Sequence, residues 1–162
     1  MIMTLNELLR SKVRDFQAET EKNIGVVSEW QASLARLFNQ LKEWLAAADP
    51  DRILQIQESF KEVKEPGLGH YSAPRMDIRA LGQWIAVLPK ARRTMRSATP
   101  PRALSPENAT GRVDVTDDLL RYILYRFGTG ESEIWTIEGP DGSALQELNA
   151  KTLEAALVSY FR

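Results

Sequence analysis

The chain offers few side chains that could carry out catalysis. It contains one histidine, His70, and no cysteine, so it has neither the histidine pair of common metal motifs nor a thiolate nucleophile. A serine–histidine–aspartate triad would depend on His70 alone. This histidine follows Gly67 and Gly69 in a loop-like stretch, where a lone histidine is usually exposed or hydrogen-bonded to the backbone. We therefore predict no catalytic residues, no metal and no cofactor, and we favour a protein that is not an enzyme.

Three aspartates that are close in sequence come nearest to a calcium-binding pattern. Asp114, Asp117 and Asp118 lack the loop glycine and the bidentate glutamate of a calcium-binding hand. The interpretation that we favour is a solvated turn between two strands.

A basic segment in the middle of the chain is the best candidate for binding an anionic partner. Residues 75–102 hold seven Lys and Arg and one acidic residue. Both flanks are acidic, with nine basic and eleven acidic residues in 1–74, and five basic and ten acidic residues in 103–162. The candidate binding residues within the segment are Lys90, Arg92, Arg93 and Arg96, which could contact an acidic protein. Nucleic acid is a weaker hypothesis, because the isoelectric point is near 5.9 and no aromatic residues interleave with the cluster. Two plainer alternatives are ion pairing with the acidic flanks inside the fold, and a charged edge strand that blocks aggregation.

A small anionic ligand or substrate is the alternative to a protein partner. Arg75, Arg79 or Arg92 could hold it in a pocket between sheet and helices, with His70 or Tyr71 at the mouth. This hypothesis requires these side chains to converge on one concave site.

The sharpest pattern in the sequence is an apolar seam. Its members alternate in steps of three and four residues: Val27, Trp30, Leu34, Leu37, Leu41, Trp44 and Ala48. Such spacing predicts a helix whose seam must be covered, either by the body of the protein or by another chain. The candidate partner-binding residues are Trp30, Leu34, Leu37, Leu41 and Trp44. The predicted partner is a second copy of the chain or another protein.

Helical signals extend over residues 1–66. Thr4 or Asn6 can cap a first helix, whose apolar stripe is Leu5, Leu9, Val13, Phe16 and Ile24. Gly25 is a weak point, so either one long helix or a helical hairpin fits. Asp49 and Pro50 are expected to start a further helix, with Ile53, Ile56, Phe60 and Val63 facing inward.

Residues 67–162 read as an antiparallel sheet followed by a helix. Alternating apolar residues and short turns predict a β-meander of about five to seven strands. Asn149 then caps a C-terminal helix that packs on the sheet through Leu153, Ala156, Leu157 and Tyr160. The predicted fold class is α+β, with the helical segment and the sheet forming one compact unit.

The predicted function is a non-catalytic protein–protein interaction or assembly module. The chain has no run of about 20 apolar residues for a membrane span and no signal-peptide pattern at residues 1–10, and we expect a cytoplasmic, bacterial-type protein. In size, acidity and expected architecture it resembles bacterial secretion chaperones, which dimerise and hold extended partner segments. A ligand-binding or enzymatic role is the alternative, and association with nucleic acid is a weaker one.

Overall fold

The chain folds into a long helix, a seven-stranded antiparallel sheet and a C-terminal helix. The computed structural model describes residues 2–92, 106–142 and 144–162. In chain order the elements are α1 (Leu5–Ala48), β1 (Gln55–Glu65), β2 (Gly69–Ala80), β3 (Gln83–Ala91), β4 (Gly111–Thr116), β5 (Arg121–Phe127), β6 (Ile134–Glu138), β7 (Gln146–Glu147) and α2 (Ala150–Phe161), with short 3₁₀ turns at Pro106–Asn108 and Gly130–Ser132. The α+β prediction is confirmed.

Helix α1 is continuous over 44 residues, which corresponds to about 66 Å at about 1.5 Å per residue. It begins with a capping box, in which Thr4 Oγ1 accepts from the Glu7 N–H at 3.2 Å and the Thr4 N–H donates to Glu7 Oε2 at 3.0 Å. The sequence left open one helix or two helices meeting near Gly25, and the structure has one. A Cβ at Gly25 would meet nothing within 4 Å, so no packing contact forces a bend there.

The further helix predicted after Asp49 is wrong, since residues 55–65 form strand β1. Asp49 ends α1 instead of beginning a helix, and its carboxylate accepts from the backbone N–H of Ile53 at 3.0 Å and of Leu54 at 2.8 Å. Strand β1 then pairs with β2 along all of its eleven residues. Strand formation depends on pairing and packing with neighbouring strands, and here pairing with β2 outweighs a local helical spacing. The helical part of the N-terminal segment thus ends at Ala48.

The sheet is a meander in which each strand neighbours the strand before it in sequence. The hairpin of β1 and β2 extends beyond the other strands, because β3 pairs with β2 only between Met76 and Ala80. Pro74, which has no N–H, lies in the part of β2 that β3 does not reach. The predicted turn after β6 is closed by a 3.2 Å bond from the Gly142 N–H to the Gly139 carbonyl. Gly142 has a φ of 70°, which suits glycine.

An apolar core lies between one face of the sheet and the two helices. Helix α2 begins at Asn149, whose side-chain oxygen accepts from the Thr152 N–H at 2.9 Å. The helix buries the four residues predicted for its inner face: Leu153, Ala156, Leu157 and Tyr160. Tyr160 Oη donates to the Val115 carbonyl on β4 at 2.7 Å, which ties α2 to the sheet.

Candidate interaction site

The apolar seam of α1 is covered by the chain itself. Trp30, Leu34, Leu37 and Leu41 are at most 4% exposed, and Trp44 is partly buried against the same core. They form one cluster with apolar residues of the sheet and of α2. The sequence allowed the seam to be covered either by the body of the protein or by another chain, and in this structure the body covers it. Of the five candidate partner-binding residues, Trp44 alone is not buried.

The first part of α1, residues 5–24, projects from the body as an arm. Residues 2–22 are all exposed. The large apolar side chains of the arm are 43–74% exposed: Leu5, Leu8, Leu9, Val13, Phe16 and Ile24. Together with Ile2 and Met3 they make up eight of the fifteen exposed large apolar side chains in the described part of the chain. Contiguous apolar surface of this kind usually marks a site of interaction.

The arm continues the helical phase of the buried seam without a slip. Alternating steps of four and three residues back from Val27 reach, in order, Asn23, Thr20, Phe16, Val13, Leu9 and Asn6. We call these six residues the arm stripe. The arm stripe therefore continues the face of α1 that lies on the sheet after Val27, but in the arm this face is not covered by the sheet.

A buried arginine fixes α1 where the arm leaves the body. Arg126 on β5 is fully buried, and its Nη1 donates to Glu29 Oε2 on α1 at 2.7 Å. Its guanidinium carbon lies 4.8 Å from the centre of the Trp30 ring. Its Nε and Nη2 donate to the hydroxyl and the carbonyl of Thr110, each at 3.1 Å. Because a buried charge is tolerated only when paired and hydrogen-bonded, these contacts hold the base of the arm in one position.

Glu133 places a second carboxylate beside this arginine. Its Oε2 lies 3.6 Å from Arg126 Nη1 and accepts from Ser33 Oγ at 2.6 Å. Its Oε1 accepts from Arg36 Nε at 3.2 Å. Burial by itself would raise the pKa of Glu133, but the hydrogen bonds from Arg36 and Ser33, together with the positive charges, lower it below its ordinary value. The bond to Glu133 also raises the pKa of Arg36. The ionised carboxylate thus joins α1 to the start of β6.

Trp30 completes the base of the arm by close packing. Its ring stacks on Trp135, with centroids 6.0 Å apart and planes inclined by 25°. A Cβ at Gly111 would collide with the Trp30 ring. Sequence reasoning placed Trp30 in the seam but missed the charged groups around it. The one usable signal is the alternation in β5, which puts Arg126 on the same face as the buried Leu124.

The basic segment lies partly outside the described residues, where Arg93 and Arg96 fall. Lys90 is exposed, and Arg92 Nε lies 4.0 Å from Glu29 Oε1. Arg92 thus faces an acidic flank of its own chain, in agreement with internal ion pairing. Strand β3 pairs with β2 only as far as Val87, and beyond it pairs with β4. The alternative of a charged edge strand therefore stays a prediction. Binding of an acidic partner by these four basic residues stays a prediction.

The residues suggested to hold a small anion do not converge. Arg75 is engaged by Asp77, with three nitrogen–oxygen distances of 3.0–3.3 Å. His70 Nδ1 lies 2.8 Å from Glu62 Oε1 across the hairpin. Arg79 is near the other end of β2, about 30 Å from His70 at about 3.3 Å per residue.

Tyr71 and Arg92 do meet, at the carboxylate of Glu65. Tyr71 Oη at 2.7 Å and the Arg92 backbone N–H at 3.0 Å donate to the same oxygen, Oε2. Burial raises the pKa of Tyr71, and the bond to Glu65 raises it further. Glu65 and Tyr71 are 5% and 6% exposed, so this group holds the tip of the hairpin and the end of β3 together internally.

An apolar cavity of about 320 Å³ lies at the opposite end of α1 from the arm. Its walls come from the last turn of α1, the loop that follows it and α2, and they include Trp44, Leu54, Leu153 and Phe161. The volume is in the range of small-ligand sites. None of the five residues suggested to hold an anion lines it, so the cavity does not support the anionic-ligand hypothesis.

The prediction of a solvated aspartate turn is right for two of its three residues. Asp117 Oδ1 accepts from two backbone N–H groups in the turn between β4 and β5, which also contains Asp118. Asp114 is instead fully buried in β4. It pairs with Arg112 Nε at 2.8 Å and Arg121 Nε at 3.5 Å.

Comparison with known proteins does not assign a family. No family model, no curated protein and no solved structure matches this chain. Across residues 2–92, 106–142 and 144–162, no three His, Asp or Glu side chains are grouped to hold a metal. In the same residues, no helix combines the length and apolarity needed to cross a bilayer. The arm is therefore the feature from which a function can be argued.

Proposed function

We propose that this protein is a non-catalytic interaction or assembly module that docks another protein on its helical arm. The observation that carries the proposal is the exposed apolar face of residues 5–24 on a helix whose continuation is fixed in the core. We place it in the cytoplasm, because a chain without cysteine suits a reducing compartment.

The apolar side chains of the arm stripe supply the free energy for docking. Leu9, Val13 and Phe16 are 53%, 53% and 74% exposed. Complete burial of such a side chain contributes about 1.5–3 kcal/mol, and at 53–74% exposure more than half of this gain is not realised within one chain. A partner with an apolar groove or a second amphipathic helix would realise it.

The base of the arm favours binding because it is already ordered. Arg126 and Glu133 bond to Glu29, Ser33 and Arg36 on consecutive turns of α1. The arm therefore leaves the body in a set direction. A preorganised surface loses less conformational freedom on association, which supports docking by the arm.

Site-specific photo-crosslinking in cells that naturally produce the protein tests this function. A photoreactive benzoyl derivative of phenylalanine at position 16 conserves the aromatic ring on the arm stripe. We expect a crosslinked adduct at position 16. The same group at position 119 is the matched control, because Leu119 is 91% exposed but lies in the turn after β4. Absence of an adduct from position 16, or equal adducts from both positions, would contradict the proposal.

A further inference from the structure

We infer that the partner of the arm is the arm of a second copy of this chain, bound in the antiparallel direction. The inference rests on the proposed function, since it takes the arm as the docking surface. It adds the identity of the partner, its direction and its register.

The arm stripe is self-complementary when two copies run in opposite directions. Each heptad has two seam positions. In such a pair, the first seam position of one helix packs against the second seam position of the other, layer by layer. Placing Val13 of one arm opposite Phe16 of the other forms the central layers and sets the register. Leu9 of each copy then faces Thr20 of the other. All three apolar residues of the arm stripe are thus covered in one arrangement.

The same register brings the two asparagines of the arm stripe together. Asn6 of one copy faces Asn23 of the other at each end of the paired region. Each side-chain amide carries both a donor and an acceptor, so two facing asparagines can hydrogen-bond to each other. Polar residues at seam positions often specify register in paired helices.

Charge on the arm favours the antiparallel direction. Residues 5–14 carry Arg10, Lys12 and Arg14 against Glu7, and residues 15–24 carry Asp15, Glu19 and Glu21 against Lys22. Antiparallel pairing places each basic half beside the acidic half of the other copy. Lys12 and Glu19 are seven residues apart and therefore flank the arm stripe on the same side. In the antiparallel pair, Lys12 of one copy becomes a neighbour of Glu19 of the other. Parallel pairing would place like charges together, which disfavours it.

The body of the protein also excludes a parallel pair. After Val27, the face of α1 that carries the seam lies on the sheet. A parallel partner helix would have to continue along this face and would collide with the sheet. An antiparallel partner begins at its Thr4, which in the register above lies level with Gly25. The second arm therefore ends just before the sheet begins, and the two bodies lie at opposite ends of the pair.

Disulfide trapping tests both the partner and the direction. The chain has no cysteine, so Asn6→Cys and Asn23→Cys each introduce a unique thiol without removing an apolar layer. Oxidation of a mixture of the two purified variants, one of them carrying a mass tag, is expected to give the mixed disulfide at least tenfold above either homodimer. Asn6→Cys mixed with Leu119→Cys is the control for random collision and is expected to give background.

Each other outcome overturns the inference. Disulfides within each single variant, without a mixed product, would indicate parallel arms. No disulfide above the collision control would exclude self-pairing. If position 16 then still crosslinks in cells to a protein of different mass, the interaction module stands and only the self-pairing falls. If it crosslinks to nothing, the proposed function falls as well.

Discussion

At the scale of single residues, the best-defined chemistry in the chain is the group formed by Arg126, Glu29 and Glu133. Its hydrogen bonds join α1 to β5 and to the start of β6. We assign it a positioning role, because it fixes the point from which the arm projects. The ionised state of Glu133 is part of that role, and it makes the stability of the base dependent on pH.

The change Glu133→Gln tests this group. Because the folded-state pKa of Glu133 is lowered, its contribution to stability is fully present above the pKa of the unfolded chain, about 4.3. It is lost as the pH falls through the lower folded-state pKa. We expect the variant to lose about 1–2 kcal/mol of unfolding free energy at pH 7, since part of the site is screened by solvent. Urea denaturation at pH 7 and pH 3 measures the difference, which is expected to shrink at pH 3.

Glu131→Gln is the control for this variant, because Glu131 is exposed two residues away. It is expected to change stability by less than about 0.5 kcal/mol. A loss in Glu133→Gln that is equally large at pH 3 would contradict the assigned role.

The burial of apolar residues was easier to predict from the sequence than the partners of charged residues. Periodicity identified the inner faces of α1 and α2, because burial in a helix follows a regular spacing. It could not identify the partners of Arg126, since Glu29 is separated from it by 97 residues. Nor could it distinguish the buried Asp114 from a solvated aspartate, as its pairing depends on Arg121 of the next strand.

At the scale of elements, one heptad pattern in α1 has two different environments. The helix is about 66 Å long at about 1.5 Å per residue. The longest strand, β2, has 12 residues, or about 40 Å at about 3.3 Å per residue. The sheet is therefore too short to cover the whole of α1, and the uncovered length is the arm. The pattern predicted a seam that requires a cover, but only the lengths of the folded strands determine where that cover ends.

Two glycines test the packing of α1. The change Gly111→Ala directs a methyl group at the Trp30 ring, and overpacking of this kind costs about 1–3 kcal/mol. The change Gly25→Ala meets no atom within 4 Å, and a helical alanine in place of glycine contributes up to about 1 kcal/mol. Urea denaturation is expected to show opposite signs for the two variants. Unchanged stability in Gly111→Ala would mean that Trp30 does not lie against β4.

At the scale of the whole molecule, the chain consists of a body with a closed core and an arm that leaves apolar surface in water. The order of helix, meander and helix was predictable, because short turns require antiparallel neighbours. The role of residues 55–65 was not, since an exposed edge strand can match a helical spacing by chance. The site could be predicted only in part. The apolar stripe at Leu5 to Ile24 was visible in the sequence, but its exposure required the fold.

The most direct test of the account is the solution mass, by light scattering on a sizing column, of wild type, Phe16→Lys and Leu34→Lys. We expect wild type at twice the mass of the 18.3 kDa chain. Phe16→Lys is expected to be a folded monomer, because Phe16 is 74% exposed. Leu34→Lys is expected to unfold, because Leu34 is fully buried. A monomeric wild type, or a dimer that persists in Phe16→Lys, would contradict pairing through the arm.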